Sequence, residues 1–325
     1  MKLGSLKTNS KDGSLVIVNR SLTKYVKADD IATNLLTAIE NWSQVKNDLQ
    51  TRSDLLENKK IESHDYVESQ MMSCLPRTWL FADGSAFIHH VKLVRQARKA
   101  PLPETLSTVP LMYQGECARF LNPTENIPQR DFAHGTDFEA EVGVITDFVP
   151  MGISSDEALK KIIMFVLIND VSLRGLIPDE LAQGFGFFQS KPASALSPLA
   201  LTVDELGSHF KSGRIHLPLE VNYNNQFFGC ADAGAMHFHF GQLIAHAAKT
   251  RDLQPGTIIG SGTVSNEDEA KGSSCLAEKR MIEQIKTGAM TTPFMKPGDT
   301  IEIQMKDSTG LSLFGRINQK VVPAQ

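Results

Sequence analysis

The 325-residue chain is short of cysteine, of tryptophan and tyrosine, of long apolar runs and of surplus charge. Its four cysteines, Cys74, Cys117, Cys230 and Cys275, have no paired or metal-type spacing. That excludes a disulfide framework and a cysteine-based zinc site, and predicts free thiols in a reducing compartment. The longest apolar run, 162–168, is too short to cross a bilayer, and the opening Met-Lys-Leu-Gly-Ser-Leu-Lys lacks the apolar core of a signal peptide. With 33 basic and 37 acidic residues the formal net charge is −4, so no basic excess points to nucleic acid or an anionic membrane. Two tryptophans and four tyrosines offer few platforms for sugar rings. Internal repeats and low-complexity tracts are also lacking. The expectation is a cytoplasmic protein with neither nucleic acid nor membrane as partner.

What is present is a carboxylate-bearing alternation, Asp137-Phe138-Glu139-Ala140-Glu141-Val142-Gly143-Val144-Ile145. Apolar even positions and carboxylates at the first three odd ones have the period of two of a half-buried strand. Glu139 and Glu141 then project the same way, about 6.5–7 Å apart and close enough to reach one cation. A solvated outer face is the alternative. Upstream, 2–7 and 14–19 read as a hairpin turned through Asp12-Gly13. Residues 32–58 read as one long helix, or two broken near Asn47-Asp48. The polar stretch 57–73 marks the boundary between a small N-terminal domain, 1–73, and a larger one, 74–325.

A helix from Ser85 would leave Asp83 in the positive field at its N-terminus and carry His90 about two turns along, although an adjacent His pair is also ordinary filler. Ser154 and Glu157 form a capping box for a helix with apolar positions Ala158, Leu159, Ile162 and Ile163. The run 165–168 reads as a buried strand presenting Asp170 and Arg174 at its end: a third carboxylate and a fixed positive charge, or else a turn Asp and a surface-paired Arg. Lys191 stands among small and apolar residues, either exposed or partly desolvated and aimed at anions. Strands 217–223 and 226–230 pair around Asn224-Asn225. The alternating 236–240 is predicted as a strand with His237 and His239 on one side, but no third metal ligand stands at a helpful spacing. Residues 242–249 read as a helix. A strand from Ile258 runs into a glycine-bearing turn where Thr263 offers a hydroxyl and a ligand can approach the backbone. That turn is neither a P-loop nor a dinucleotide fingerprint. A final strand pair follows the turn at Pro297-Gly298.

In order, Glu139-Ala140-Glu141, the segment 169–174, Ser190-Lys191, the segment 260–265 and the run 272–278 resemble the fumarylacetoacetate hydrolase family over about residues 80–320. The resemblance implies an α+β, β-rich fold: a mixed β-sandwich or β-roll catalytic domain with a small N-terminal domain, assembled as a homodimer. It implies that Asp83, Glu139, Glu141 and Asp170 bind a divalent metal, Mg²⁺ or Ca²⁺, with Mn²⁺ a further candidate. Asp83 and His90 have the family's spacing of seven, which His89 lacks. His90, held by Glu278, would take a proton from water. Lys191, with Arg174, would stabilise the tetrahedral oxyanion, and Tyr113, Thr263 and Lys99 would contact substrate. The implied reaction is hydrolysis of a carbon–carbon bond in a small diketo acid. The candidates are fumarylacetoacetate, giving fumarate and acetoacetate as in tyrosine catabolism and aromatic degradation, or an acylpyruvate.

One departure stands out. Ile177 occupies the position of a family Gln, so either another donor such as Gln189 replaces it or the substrate differs. A metal-dependent lyase of the oxaloacetate decarboxylase type is the alternative on the same fold, needing the metal but no water-activating pair. A glycosidase using Glu139 and Glu141 fits poorly, because two acids on one strand do not easily flank a bond. A non-catalytic oligomer is the remaining reading.

Overall fold

The computed structural model describes residues 1–97, 101–102 and 104–324, the side chains of 94, 95 and 97 excepted. At the centre of its eleven-stranded sheet lies Ala140–Thr146. It is antiparallel to Ile162–Asn169 on one side and to Ile258–Gly260 on the other, and the latter runs parallel to Phe81–Gly84. β-Branched residues are frequent in the first three of these strands, which suits a pleated surface packed on both sides. Every residue of Ala140–Thr146 and of Ile162–Asn169 is buried. The alternation at 137–145 therefore separates an apolar interior from a polar one, where a half-buried strand was expected. Phe138, Ala140, Val142 and Val144 join the main core, while Asp137, Glu139 and Glu141 are buried on the other side.

The N-terminal hairpin forms as expected. Lys2–Leu6 pairs with Ser14–Val18, and its other edge pairs with Leu199–Thr202, so the first strands extend the large sheet. A second, five-stranded sheet contains Pro218–Tyr223 and Gln226–Asp232 joined through Asn224 and Asn225, both at positive φ as a tight hairpin demands. Leu219, Val221, Ile301 and Ile303 of this sheet share a core with Val142 and Val144. Two packed sheets with peripheral helices make the expected β-rich α+β fold. Among the described residues no helix is long and apolar enough to cross a membrane.

Four local expectations are corrected. The helix at 32–58 breaks at Asn41, where the side chain donates to the Thr37 carbonyl at 2.9 Å and ends Leu35–Glu40 before Trp42–Glu57 begins; Asn47 and Asp48 sit within the second helix. The Ser154-capped helix covers only Ser155–Leu159, and Ile162 and Ile163 belong to the following strand, which suits β-branched residues better. Residues 236–240 are not a strand: the His239 N–H donates to Gln242 Oε1 at 3.0 Å and the helix Phe240–Ala247 starts there. Asp83 lies on the strand Phe81–Gly84 and the next helix begins only at Ile88, so His90 stands in its first turn.

Candidate active site

Sheet register builds the site. Gly260 is paired with Asp83 on one side and Gly143 on the other, and Ile168, two residues before Asp170, is paired with Glu141. One oxygen each of Asp83, Glu141 and Asp170 lies within 4.8 Å of the other two, and all three residues are buried. Gly260 leaves the room: a Cβ there would sit 2.2 Å from Asp83 Oδ1 and 3.2 Å from Glu141 Oε2. Gly262, at φ +75°, lets its N–H donate to Asp83 Oδ1 at 3.1 Å.

Both oxygens of Glu141 are buried and neither meets an N–H, ammonium or hydroxyl donor; only the carboxyl of Asp83, when it holds its proton, can donate to them. Burial first, then the neighbouring Asp83 and Asp170, drive its pKa well above the usual carboxylate range. Burial and Asp170 likewise push Asp83 up to about 8. Burial raises Asp170 as well, although Lys191 pulls against it. Five buried carboxylates, Asp83, Asp137, Glu139, Glu141 and Asp170, face two cations, Lys191 and Arg174. A divalent cation among the three converging acids would supply most of the missing positive charge, and an all-oxygen donor set suits a hard ion. The orphaned oxygens of Glu141 are the direct sign that the residues fit one.

Glu139 stands beside this trio. Its oxygens accept from Arg174 Nη2 at 2.6 Å, Thr263 Oγ1 at 2.8 Å, Lys191 Nζ at 2.6 Å and Ser172 Oγ at 3.2 Å. Burial would raise its pKa, but Arg174 and Lys191 outweigh that and hold it well below the usual range. Lys191 is desolvated, not exposed. Its Nζ also donates to Asp170 Oδ2 at 2.5 Å and lies 5.1 Å from the centre of the Tyr113 ring, whose hydroxyl donates to the same Asp170 oxygen at 2.7 Å. Asp170 Oδ1 accepts from Ser194 Oγ at 2.6 Å.

His90 Nδ1 lies 2.8 Å from Glu278 Oε2, with the carboxylate buried and the imidazole 14% exposed. Glu278 sits in the first turn of Leu276–Thr287, and Asp137 positions that turn. Its carboxylate accepts the N–H groups of Leu276 and Ala277 at 2.8 and 2.9 Å and the Arg174 Nε at 2.9 Å. One acid thus ties the start of the Glu278 helix to the arginine that grips Glu139. Asp137 was legible as the first acid of the alternation, but nothing in the sequence pointed it at a helix 139 residues away. Cys275 caps the same helix, its Sγ accepting the Glu278 N–H at 3.3 Å, and it lies within 4.8 Å of His90 and Glu139. Burial raises that thiol well above its ordinary pKa, and Glu139 is already saturated, so the carboxylate trio is the better cation site.

The structure thus gathers Asp83, Glu141, Asp170, Lys191, Tyr113, Glu139, Arg174 and Thr263 into one connected set and pairs His90 with Glu278. Arg174 bonds Asp137 through Nε and Glu139 through Nη2. Lys99 lies outside the described residues. Ile177 is buried at the start of the helix Ile177–Ala182. Gln189, its suggested replacement, lines a separate pocket with Arg130 and His134.

Residues 80–322 match the family profile described as fumarylacetoacetate (FAA) hydrolase C-terminal, and residues 1–77 match fumarylacetoacetase N-terminal domain 2. A 2,4-didehydro-3-deoxy-L-rhamnonate hydrolase from Sphingomonas sp. (strain SKA58) is 25% identical over 225 residues, covering 68% of this chain and 66%, just under two thirds, of its own length. The fumarylacetoacetase of Caenorhabditis elegans is 23% identical, covering 75% of this chain and 70% of its own. The crystal structure of maleylpyruvate hydrolase from Sphingobium sp. SYK-6 with manganese(II) and pyruvate has a TM-score of 0.68 at 14% identity, covering the whole of both chains. At that identity the likeness is one of fold.

Proposed function

The chain belongs to the fumarylacetoacetate hydrolase family, and from that premise we propose that it hydrolyses a carbon–carbon bond in a small diketo acid, an acylpyruvate or fumarylacetoacetate. Asp83, Glu141 and Asp170, with Glu139 alongside, would hold the divalent cation. Mg²⁺ or Ca²⁺ suits carboxylate oxygens, and Mn²⁺ belongs in the assay because the Sphingobium hydrolase carries manganese. Bound there, the cation supplies Lewis-acid polarisation of the substrate's keto oxygens.

The chain's own residues do the rest. His90, its Nδ1 facing Glu278 at 2.8 Å, presents its other ring nitrogen to a water and takes its proton. The water oxygen bonds to the carbonyl carbon, and Lys191, whose Nζ otherwise donates to Glu139, Asp170 and Ser172, would turn one of those three hydrogens to the oxyanion that forms, a contribution of about 3–4 kcal/mol per donor in comparable sites. When the carbon–carbon bond breaks, its electron pair leaves on the neighbouring carbon as an enolate, which recovers the proton from His90. Arg174, bonded to Asp137 and Glu139, acts here as a positioning residue.

The observation that carries this reading is the His90–Glu278 pair, because decarboxylation needs the cation but no base for water. The test is a panel of acylpyruvates, fumarylacetoacetate and oxaloacetate with each metal, followed by loss of enol absorbance and by product analysis. Cleavage of a diketo acid to two acids is expected. Consumption of oxaloacetate alone would assign a decarboxylase instead.

A further inference from the structure

Glu180 lies on the helix Ile177–Ala182, which begins shortly after Arg174, and the chemistry above gives it no part. Its carboxylate accepts the N–H groups of Phe188, Gln189 and Ser190 and the Ser190 hydroxyl. One acid thus gathers the donors of three successive residues, and the next residue is Lys191. Ser190 is buried and its carbonyl accepts the Leu173 N–H at 2.8 Å, so its N–H, its hydroxyl and its carbonyl are all committed. The Lys191 N–H then donates to the Phe188 carbonyl at 3.3 Å.

Apolar burial does little for the rest of this loop. Phe185 is fully exposed and Phe188 is 84% exposed, while Gly184 and Gly186 stand at positive φ with open space where a Cβ would be. Such a segment costs conformational entropy to order and has few contacts to offset it. Phe187 gives it an apolar anchor, edge-on to the Tyr113 ring with 5.3 Å between centres. Glu180 gives it a polar one, and hydrogen bonds to a charged acceptor are about twice as strong as neutral ones. Without that carboxylate the hydroxyl of the buried Ser190 loses its partner, which is unfavourable. The consequence falls on Lys191, whose Nζ holds Glu139 at 2.6 Å and Asp170 at 2.5 Å.

We propose that Glu180 is a positioning residue: it fixes the turn at 188–190 so that the Lys191 ammonium stands where the oxyanion forms. The catalytic half of this proposal rests on the diketo acid reading above. The test uses the metal-loaded protein and whichever diketo acid of the panel is cleaved, with Glu180→Ala, Lys191→Ala and the two combined. Glu180→Ala should lower kcat about tenfold or more while KM changes less than about twofold, since a small misplacement of a catalytic group costs up to about a hundredfold. In the Lys191→Ala background the same change should cost nothing further, because a residue that acts through Lys191 then has nothing left to place. Equal losses in both backgrounds, a loss confined to KM, or an undiminished kcat overturns the proposal.

If no diketo acid is cleaved, the reaction assignment fails and the clamp is read without turnover, as it is if Lys191→Ala does not fold. In the wild type the amide hydrogens of 188–190 should exchange slowly for so exposed a loop, and the buried, bonded ammonium of Lys191 should give its own nuclear magnetic resonance signal in lysine-labelled protein. Glu180→Ala, or Ser190→Ala if the first variant is unfolded, should speed that exchange at least about tenfold and broaden or move the Lys191 signal. Exchange already fast in the wild type, or a Lys191 signal that the folded variant leaves unaltered, overturns the proposal.

Discussion

Stripped of metal by chelation, the protein should lose stability as pH rises from 5 to 8. Asp83, Glu141 and Asp170 all hold their protons more tightly in the folded chain than carboxylates ordinarily do. Between the unfolded and folded pKa values the native chain binds more protons than the unfolded chain, so unfolding free energy falls with pH. For Asp83 that window runs from 3.8 to about 8. At pH 7 this one group costs the metal-free fold about 4 kcal/mol, against a typical net stability of about 5–15 kcal/mol. The other two act in the same direction, but the three share one field and their costs do not simply add. Glu139 works the other way. Its stabilising contribution is present above its ordinary 4.5 and lost below it; above pH 5 the buried Asp137, also shifted up, adds to the downward slope of the trio, while His239 and His246, shifted down by burial, oppose it below their ordinary 6.5. A divalent ion at a hundred times its Kd restores about 2.7 kcal/mol and binds best when the acids are ionised, so it should flatten or reverse the trend. Urea unfolding at several pH values, in EDTA and in Mg²⁺, reads this directly. Stability in EDTA that is flat or rising from pH 5 to 8, or no response to Mg²⁺, Ca²⁺ or Mn²⁺ at pH 8, would refute the assignment of these acids to one cation.

Glu141→Gln should abolish metal binding and turnover yet stabilise the chelated protein by about 1–3 kcal/mol, because the amide brings a donor to its carboxylate neighbours; titration calorimetry and urea unfolding separate the two effects. His90→Ala should lower kcat by about 10²–10⁴-fold while metal affinity holds, and an undiminished rate would remove the water-activating role. Asp137→Asn removes the charge that Arg174 faces and loosens the start of the Glu278 helix, so thermal melts should show a loss of about 3 kcal/mol and steady-state assays a lower kcat. Gly260→Ala drives a methyl against Asp83 Oδ1, which should destabilise the fold by about 1–3 kcal/mol and weaken metal binding at least about tenfold; unchanged binding would mean the three acids do not converge as described.

Much of this was readable along the chain. Alternation marked 137–145 as a strand, the apolar run before Asn169 marked another, and Asn224-Asn225 marked the hairpin of Pro218–Tyr223 and Gln226–Asp232, because period and turn chemistry are local. Local pattern also misled. Five alternating residues around His237 looked like a strand until Gln242 reached back to cap a helix, and Asn41 rather than Asn47-Asp48 ended the first helix because its side chain met a carbonyl.

The sequence by itself determined which residue types could do chemistry and on which side of a strand each would lie. Only the tertiary structure decided what met them there. Both sides of the acidic strand are interior, Glu139 goes to Lys191 and Arg174 while Glu141 goes unpaired to Asp83 and Asp170, and Asp137 seats a helix from the far end of the chain. The reason is physical: periodicity reports orientation about a residue's own backbone, whereas a neighbour's identity depends on the register of strands remote in sequence, and it is that neighbour which sets charge balance.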